Sequence, residues 1–324
     1  MSIDVYRMYE HCNLCPNHCN VNRLSGEKGR CNESSTVRVA WSGLHKGEEP
    51  PITGENGSGM IFFSGCPLHC AYCQNYQISG SSEHDERAVG LEVSVPELAE
   101  MMLVLQKMGA TNLNLVTGTH FIPSIAMALD LAKTRGFVLD VVYNSSGFES
   151  DLGLSILDPY IDLYLVDVKT LDEEVSKTFC GLALYARCIK AAMQYLLSKK
   201  KHTYLAEDNQ LKGILVRHLV FPGTLEATKE VLTYFASELK KQCYLSLMVQ
   251  FESPRGSTMF SPISEEEYES LLKMLDELSI EEGFIQELGE NVSWIPDFTQ
   301  DNPFPENFAV PSPYFLDLKK KLSR

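Results

Sequence analysis

The sequence predicts an α/β fold with a parallel sheet. Two observations carry that prediction. From Gly59 onward, short apolar runs alternate with capped, amphipathic helical segments, and six such strand candidates follow one another in this rhythm. Strands interleaved with helices imply parallel strands joined by crossovers. Periodicity leaves open whether the sheet stays open or curls into a barrel. The chain has 324 residues, 44% of them hydrophobic. A chain of this size buries about 75% of its unfolded surface.

"MIFFSG" (60–65) reads as the first buried strand. "SVPELAEMMLVLQKMG" (94–109) reads as a helix. Ser94 and Glu97 form a capping box, Val95, Leu98, Met102 and Leu105 share an apolar face, and Gly109 stands where a C-terminal cap belongs. The alternation continues with a strand at 111–117, a helix at 122–135 and strands at 138–144 and 161–169. A helix near 184–199, a strand at 213–220, a helix at 224–241 and a strand at 243–251 follow. A last helix starts at Ser264, boxed by Glu267.

Before this rhythm lie residues 1–55, polar, cysteine-rich and with little periodicity, ending in the turn-rich "EEPPITGENGSG" expected to be a linker or ordered loop. After it, residues 290–324 are rich in proline and aromatics and are expected to be irregular chain packed over the domain. The expected organisation is a cysteine-rich extension (1–55), an α/β domain (56–289) and an irregular C-terminal segment (290–324).

Charge is acidic, with 28 basic against 43 acidic residues and a net charge of −15. That argues against a phosphate-binding surface and a nucleic-acid partner. No basic segment followed by an apolar run opens the chain, and no apolar run approaches a membrane span. A cytoplasmic, membrane-free protein is expected. Ten cysteines without an export signal point to metal or catalytic work rather than a disulfide framework. Cys180, Cys188 and Cys243 are scattered and read as small buried hydrophobes.

"CPLHCAYCQN" (66–75) places Cys66, Cys70 and Cys73 at spacing C-x3-C-x2-C, directly after the first strand. Sites in parallel α/β architectures form at the C-terminal ends of strands. Three thiolates in so short a loop suit a [4Fe–4S] cluster with one iron left without a protein ligand. This loop resembles the signature of the radical S-adenosylmethionine (radical SAM) superfamily. Tyr72 and Asn75 narrow the likeness to the activating enzymes of glycyl-radical enzymes. Together with "CNLCPNHCNVNRLSGEKGRC" (12–31) the stretch is similar to the pyruvate formate-lyase activating enzyme-like branch. The resemblance spans about Cys12 to Pro254. It implies an incomplete (β/α)6 barrel with a cysteine-rich N-terminal extension, and a cluster whose open iron chelates SAM. An electron from a donor such as flavodoxin or ferredoxin would then release a 5′-deoxyadenosyl radical that abstracts hydrogen from a target.

The resemblance also assigns SAM contacts. Tyr72 belongs to the signature itself. The family's second strand ends in Gly-Gly-Glu-Pro; here Thr117-Gly118-Thr119-His120 stands there, so Thr117 and Thr119 are the candidates and the glutamate is missing. "YNSSG" (143–147) offers Asn144 and Ser146, and "YLVDVK" offers Asp167 and Lys169, which alternate with Val168 and so share one face. On the fifth strand only one of Arg217 and His218 faces inward; Arg217 is the candidate and His218 reads as packed. Gln250 is a further cavity candidate.

Cys12, Cys15, Cys19 and Cys31 supply four thiols at C-x2-C-x3-C-x11-C. Four thiolates suffice for tetrahedral zinc or a second iron–sulfur cluster. His11 and His18 read as exposed loop residues. Three functions follow: an activase acting on a protein partner, a radical SAM enzyme acting on a small molecule, peptide or RNA, or a non-catalytic metal-binding module.

Overall fold

The computed structural model describes residues 3–80, 89–252, 254, 263–289 and 295–322. Positions 290–294 and 323–324 of the expected C-terminal segment lie outside them. The strands are β1 (Val37–His45), β2 (Ser58–Phe63), β3 (Leu91–Val93), β4 (Leu113–Val116), β5 (Val141–Ser145), β6 (Leu163–Asp167), β7 (Tyr204–Leu205), β8 (Leu211–Leu219), β9 (Tyr244–Met248), β10 (Gly283–Ile285) and β11 (Ala309–Pro311). The helices are α1 (Pro50–Thr53), α2 (Val95–Lys107), α3 (Ile122–Thr134), α4 (Asp151–Leu157), α5 (Glu173–Cys180), α6 (Leu184–Lys199), α7 (Leu225–Tyr234), α8 (Glu265–Glu277) and α9 (Pro313–Leu322).

The six expected strands form one parallel run, β2-β4-β5-β6-β8-β9, each joined to the next by at least one helix. β10 extends the run in parallel beyond β9, while β1 and then β11 add antiparallel beyond β2. The path ends at β10 and β11, so the sheet is not closed. This is the incomplete barrel the sequence led one to expect. Both capping boxes are present: at α2, Glu97 Oε2 accepts from Ser94 N at 2.8 Å, and Ser264 with Glu267 repeats the arrangement at α8.

Alternation sets the inner face. Phe62, Val116, Asn144, Leu165 and Leu215 pair in register across five strands and share that face. Its lower part is filled by Ile52 of α1, buried with Val142, Leu163, Leu165, Leu211 and Leu215. The segment expected to be a linker or ordered loop therefore plugs the floor of the sheet. Truncating a side chain so placed costs about 2–5 kcal/mol.

Two expectations change. Within residues 1–55, β1 is a nine-residue strand of the sheet. Its polar Arg38 and Ser42 hide its character in sequence; in place, Trp41 meets Phe62 and Phe304 edge-on at 6.0 and 5.1 Å. The C-terminal segment is not irregular throughout: β11 pairs with β1 and α9 follows it. Among the described residues no helix is long and apolar enough to cross a membrane.

Candidate functional site

A cavity of about 350 Å3 opens at the C-terminal ends of the parallel strands. Its lining includes Cys66, Cys70, Cys73, Tyr72, Thr117, Asn144, Ser146, Asp167, Lys169, Arg217 and Gln250. Residues from every strand of the parallel run thus meet around one space. A larger surface groove of about 680 Å3 is lined by residues of α6 and α7, such as Lys190 and Glu230, and by none of these.

The loop after β2 is held in an unusual path. Gly65 has φ +83°, and a Cβ there would lie 2.6 Å from both Cys31 O and Glu33 Cγ, so only glycine fits. His69 also adopts a left-handed φ of 63°, and its Nε2 lies 2.6 Å from Arg30 O. Cys66, Cys70 and Cys73 are free thiols. Burial pushes the Cys66 thiol up to about 11 and the Cys73 thiol up to about 12, and in both the neighbouring Cys70 adds to the rise. Cys70 is instead lowered, chiefly by a hydrogen bond with Cys180. Two of the three gathered thiols thus sit where their negative charge is resisted, and metal coordination reverses that resistance by deprotonating a thiol outright.

Tyr72 packs its ring 4.6 Å from that of Phe221, and Lys169 Nζ lies 5.6 Å from the Tyr72 ring centroid. Lys169 Nζ also lies 2.6 Å from Asp167 Oδ2. Burial opposes the lysine's charge, but Asp167 together with Tyr72 and Cys70 outweighs it and holds the pKa well above the ordinary value. The expected pair is therefore both an ion pair and a cavity wall.

At the end of β4, Thr117 has φ 58°. A β-branched residue in the left-handed region is a true outlier, and such strain gathers at functional sites. On the wall of the same cavity, Ser146 Oγ is shielded from solvent and has no hydrogen-bond partner among the described residues. An orphaned hydroxyl on a cavity wall is a fit for a polar ligand.

Two expected contacts need correcting. Thr119 does not line the cavity; it lies in a 3-10 turn, 1% exposed, and its hydroxyl donates to Glu149 Oε1 at 2.7 Å. Arg217 does face the cavity while His218 packs behind, as expected, but its guanidinium is committed. It donates to Glu48 Oε2 at 2.5 Å, to Glu49 Oε1 at 2.9 Å and to Glu49 Oε2. Burial raises the Glu49 carboxyl, yet the Arg217 charge outweighs it and leaves it below the usual value.

Several groups at the site carry no local signal in the sequence. Glu149, 3% exposed, accepts from Thr119, from Ser145 Oγ at 2.5 Å and from Tyr143 OH at 3.5 Å, so one carboxyl ties the turns after β4 and β5 together. Burial raises its pKa, and those hydrogen bonds only partly offset the rise. Nothing in "SSGFES" marks that glutamate as buried. Cys180 is buried, as a small hydrophobe would be, and it also sits against Cys70. Phe304 and Phe308 reach the cavity from the C-terminal segment, a distance in sequence that no local pattern spans.

The N-terminal cysteines abut this site. Cys15 is pushed up to about 12, first by burial and then by Cys31, Cys12 and Cys19, so the four thiols lie within reach of one another. His11 and His18 are exposed, as expected. Among the described residues no three His, Cys, Asp or Glu side chains close onto a single ion-sized position.

Residues 60–206 match the family model of the radical SAM superfamily. The chain carries a radical SAM domain. Enzymes of this superfamily use a [4Fe–4S] cluster and SAM, and the radical SAM domain here presents thiols and polar walls that fit both. An uncharacterized protein of Methanocaldococcus jannaschii is 25% identical over 283 residues, covering 85% of this chain and 77% of that protein. A domain of pyruvate-formate lyase-activating enzyme from Bacteroides vulgatus superimposes with TM-score 0.38 and 15% identity, over 51% of this chain and 91% of the other. SuiB of Streptococcus suis bound to S-adenosylmethionine gives 0.46 and 12%, over 69% of this chain and 45% of SuiB.

Proposed function

We propose that this radical SAM enzyme cleaves SAM reductively and directs the resulting radical at a protein target, in the manner of a glycyl-radical activase. The observation that carries the reading is the single cavity shared by Cys66, Cys70 and Cys73 and the polar ends of β4, β5 and β6. The three thiols would hold the cluster. Bound there, cluster and SAM supply homolytic S–C5′ cleavage, giving methionine and a 5′-deoxyadenosyl radical. The chain's own residues orient and shield. Asn144, Ser146 and Thr117 offer hydrogen bonds to the methionine end. Lys169 carries a fixed positive charge beside Asp167, and Tyr72, Phe304 and Phe308 exclude water, which a radical site needs. The protein target is carried by the likeness of residues 66–75 to the activating enzymes. An external one-electron donor of the flavodoxin or ferredoxin type completes the reaction.

The test is anaerobic. The reconstituted chain with reductant and SAM is expected to form 5′-deoxyadenosine, and Cys66→Ala, Cys70→Ala and Cys73→Ala each abolish it. A colourless protein that forms none overturns the reading. Deuterium-labelled candidate proteins then report the target by label transfer to 5′-deoxyadenosine; transfer from a small molecule alone would shift the reading to the second class.

A further inference from the structure

The cysteines at the N-terminus lie outside the family-model match, and the cavity does not use them. We propose that Cys12, Cys15, Cys19 and Cys31 bind a second, thiophilic metal centre and that this centre fastens the Cys66–Cys73 loop in place.

Three observations carry this. First, the four thiols are free and short contacts tie them together. Arg23 Nη1 lies 4.0 Å from Cys12 Sγ while its Nε donates to Glu33 O, which Cys31 Sγ also approaches at 4.0 Å, and the residue before Cys31 donates its N–H to Cys19 Sγ. Between Cys12 and Cys31 the chain has little regular structure, one 3-10 turn (Arg23–Ser25) among turns and bends. Such a segment takes its order from a metal. The thiols already collect backbone and side-chain donors: Arg30 N donates to Cys19 Sγ at 3.4 Å and Asn17 Nδ2 points at Cys15 Sγ at 3.7 Å. They are not yet closed onto one point, so binding would draw them in, each thiol releasing its proton to solvent.

Second, Arg23 is 0% exposed, yet among the described residues it faces no carboxylate within ion-pair distance. Its donors go to the carbonyls of Glu33, Ser34 and His120, it lies 4.7 Å over the Tyr9 ring, and its Nη1 is 4.0 Å from Cys12 Sγ. A buried cation without a close ion pair is costly, and Glu33, the carboxylate that acts on Arg23 at longer range, spends its ion pair on Arg38. Four thiolates around a divalent ion, or around an oxidised four-iron cluster, carry a net negative charge, and they sit where Arg23 lacks one.

Third, the segment is bolted to the loop that carries the other three thiols. Asn17 Nδ2, besides facing Cys15, donates to Pro67 O at 2.9 Å. Arg30 Nη2 donates to Leu68 O at 3.3 Å, and Arg30 O meets His69 Nε2 at 2.6 Å. Cys31 O closes over Gly65, one residue before Cys66. A metal that fixes Cys15, Cys19 and Cys31 therefore fixes the residues between and beside Cys66 and Cys70.

Zinc and an iron–sulfur cluster share this thiolate chemistry, and metal analysis separates them. The full chain is purified without oxygen and offered zinc alone, or equal amounts of ferrous and ferric iron with sulfide. In Cys66→Ala/Cys70→Ala/Cys73→Ala, which lacks the loop thiols, we expect one centre per chain to remain: one zinc ion, or iron with equimolar sulfide and a visible absorption band. Cys15→Ser/Cys19→Ser, at partly exposed positions, should lose that centre and also lower the iron held by the loop at least threefold. A folded triple variant that binds neither metal overturns the proposal. So does a Cys15→Ser/Cys19→Ser chain whose loop retains full iron. SAM cleavage is not a readout here, so a wild-type chain with two centres and no 5′-deoxyadenosine would sink the proposed reaction and leave this site standing.

Discussion

Lys169 Nζ and Asp167 Oδ2 stand 2.6 Å apart at the end of β6, on the wall that also holds the three loop thiols. The spacing i, i+2 put both on one face, and the lysine's pKa, held well above its usual value, keeps it charged at any working pH. Lys169→Met should retain loop-bound iron and lower the rate of 5′-deoxyadenosine formation about tenfold or more, a barrier rise of ~1.4 kcal/mol. The wild-type rate should show no limb from this lysine between pH 6 and 9. Equal rates in wild type and Lys169→Met would remove it from the site.

Arg217 has a different duty from the one its position suggests. Its guanidinium joins β8 to Glu48 and Glu49 in the connection from β1 to α1, all of them about nine-tenths buried. Breaking a buried ion pair from one side costs about 3–5 kcal/mol. Arg217→Met should therefore lower Tm by roughly 5–10 °C. Adding Glu48→Gln and Glu49→Gln should recover more than half of that loss. A raised KM for SAM at unchanged Tm would show that the arginine serves the ligand instead.

His218 sets an acid limit on stability. Nδ1 lies 2.7 Å from Val168 O, which only accepts, so Nδ1 carries the proton and Nε2 accepts from Thr228 Oγ1 at 3.1 Å. Burial lowers its pKa to about 4 from 6.5. A histidine depressed in the fold stabilises above its unfolded pKa and loses that contribution as pH falls from 6.5 toward 4, on the order of 3 kcal/mol in all. Urea midpoints at pH 7.5, 6.0 and 5.0 should fall in the wild type and fall less steeply in His218→Gln. Parallel slopes would remove His218 as the cause.

The strand–helix rhythm from Met60 to Phe251 was legible because each strand is a short apolar run and the helices between them carry apolar stripes, with a capping box marking the start of α2. The three-cysteine loop was legible because its chemistry is local: three thiols within eight residues. What was not legible depends on contacts across the chain. Val37–His45 is a strand because β2, β3 and β11 border it. Glu149 is buried because turns after two different strands fold onto it. Arg217 faces the cavity but is engaged by the Glu48–Glu49 pair, and Thr119 lies off the cavity, held by Glu149. Spacing reports which face a residue occupies, not which distant partner will meet it there.

Thr117 offers the sharpest separation of fold from function. Its left-handed φ of 58° is a conformation that only glycine adopts freely. Strain of this kind costs ~1–3 kcal/mol, whereas placing glycine there loses ~0.4–1 kcal/mol through the freer unfolded chain. Strain is the larger effect, so Thr117→Gly should raise stability by up to about 2 kcal/mol. The same substitution deletes a hydroxyl from a residue of the cavity wall, which also holds the orphaned Ser146 hydroxyl. The KM for SAM should rise several-fold while the protein becomes harder to unfold. Thr117→Val supplies the control: it keeps the branched, strained backbone and removes the hydroxyl, so KM should rise with no gain in stability. A Thr117→Gly chain that unfolds more easily than the wild type would show that the turn is not strained, and the case for Thr117 as a ligand-facing residue would then rest on its place in the cavity wall alone.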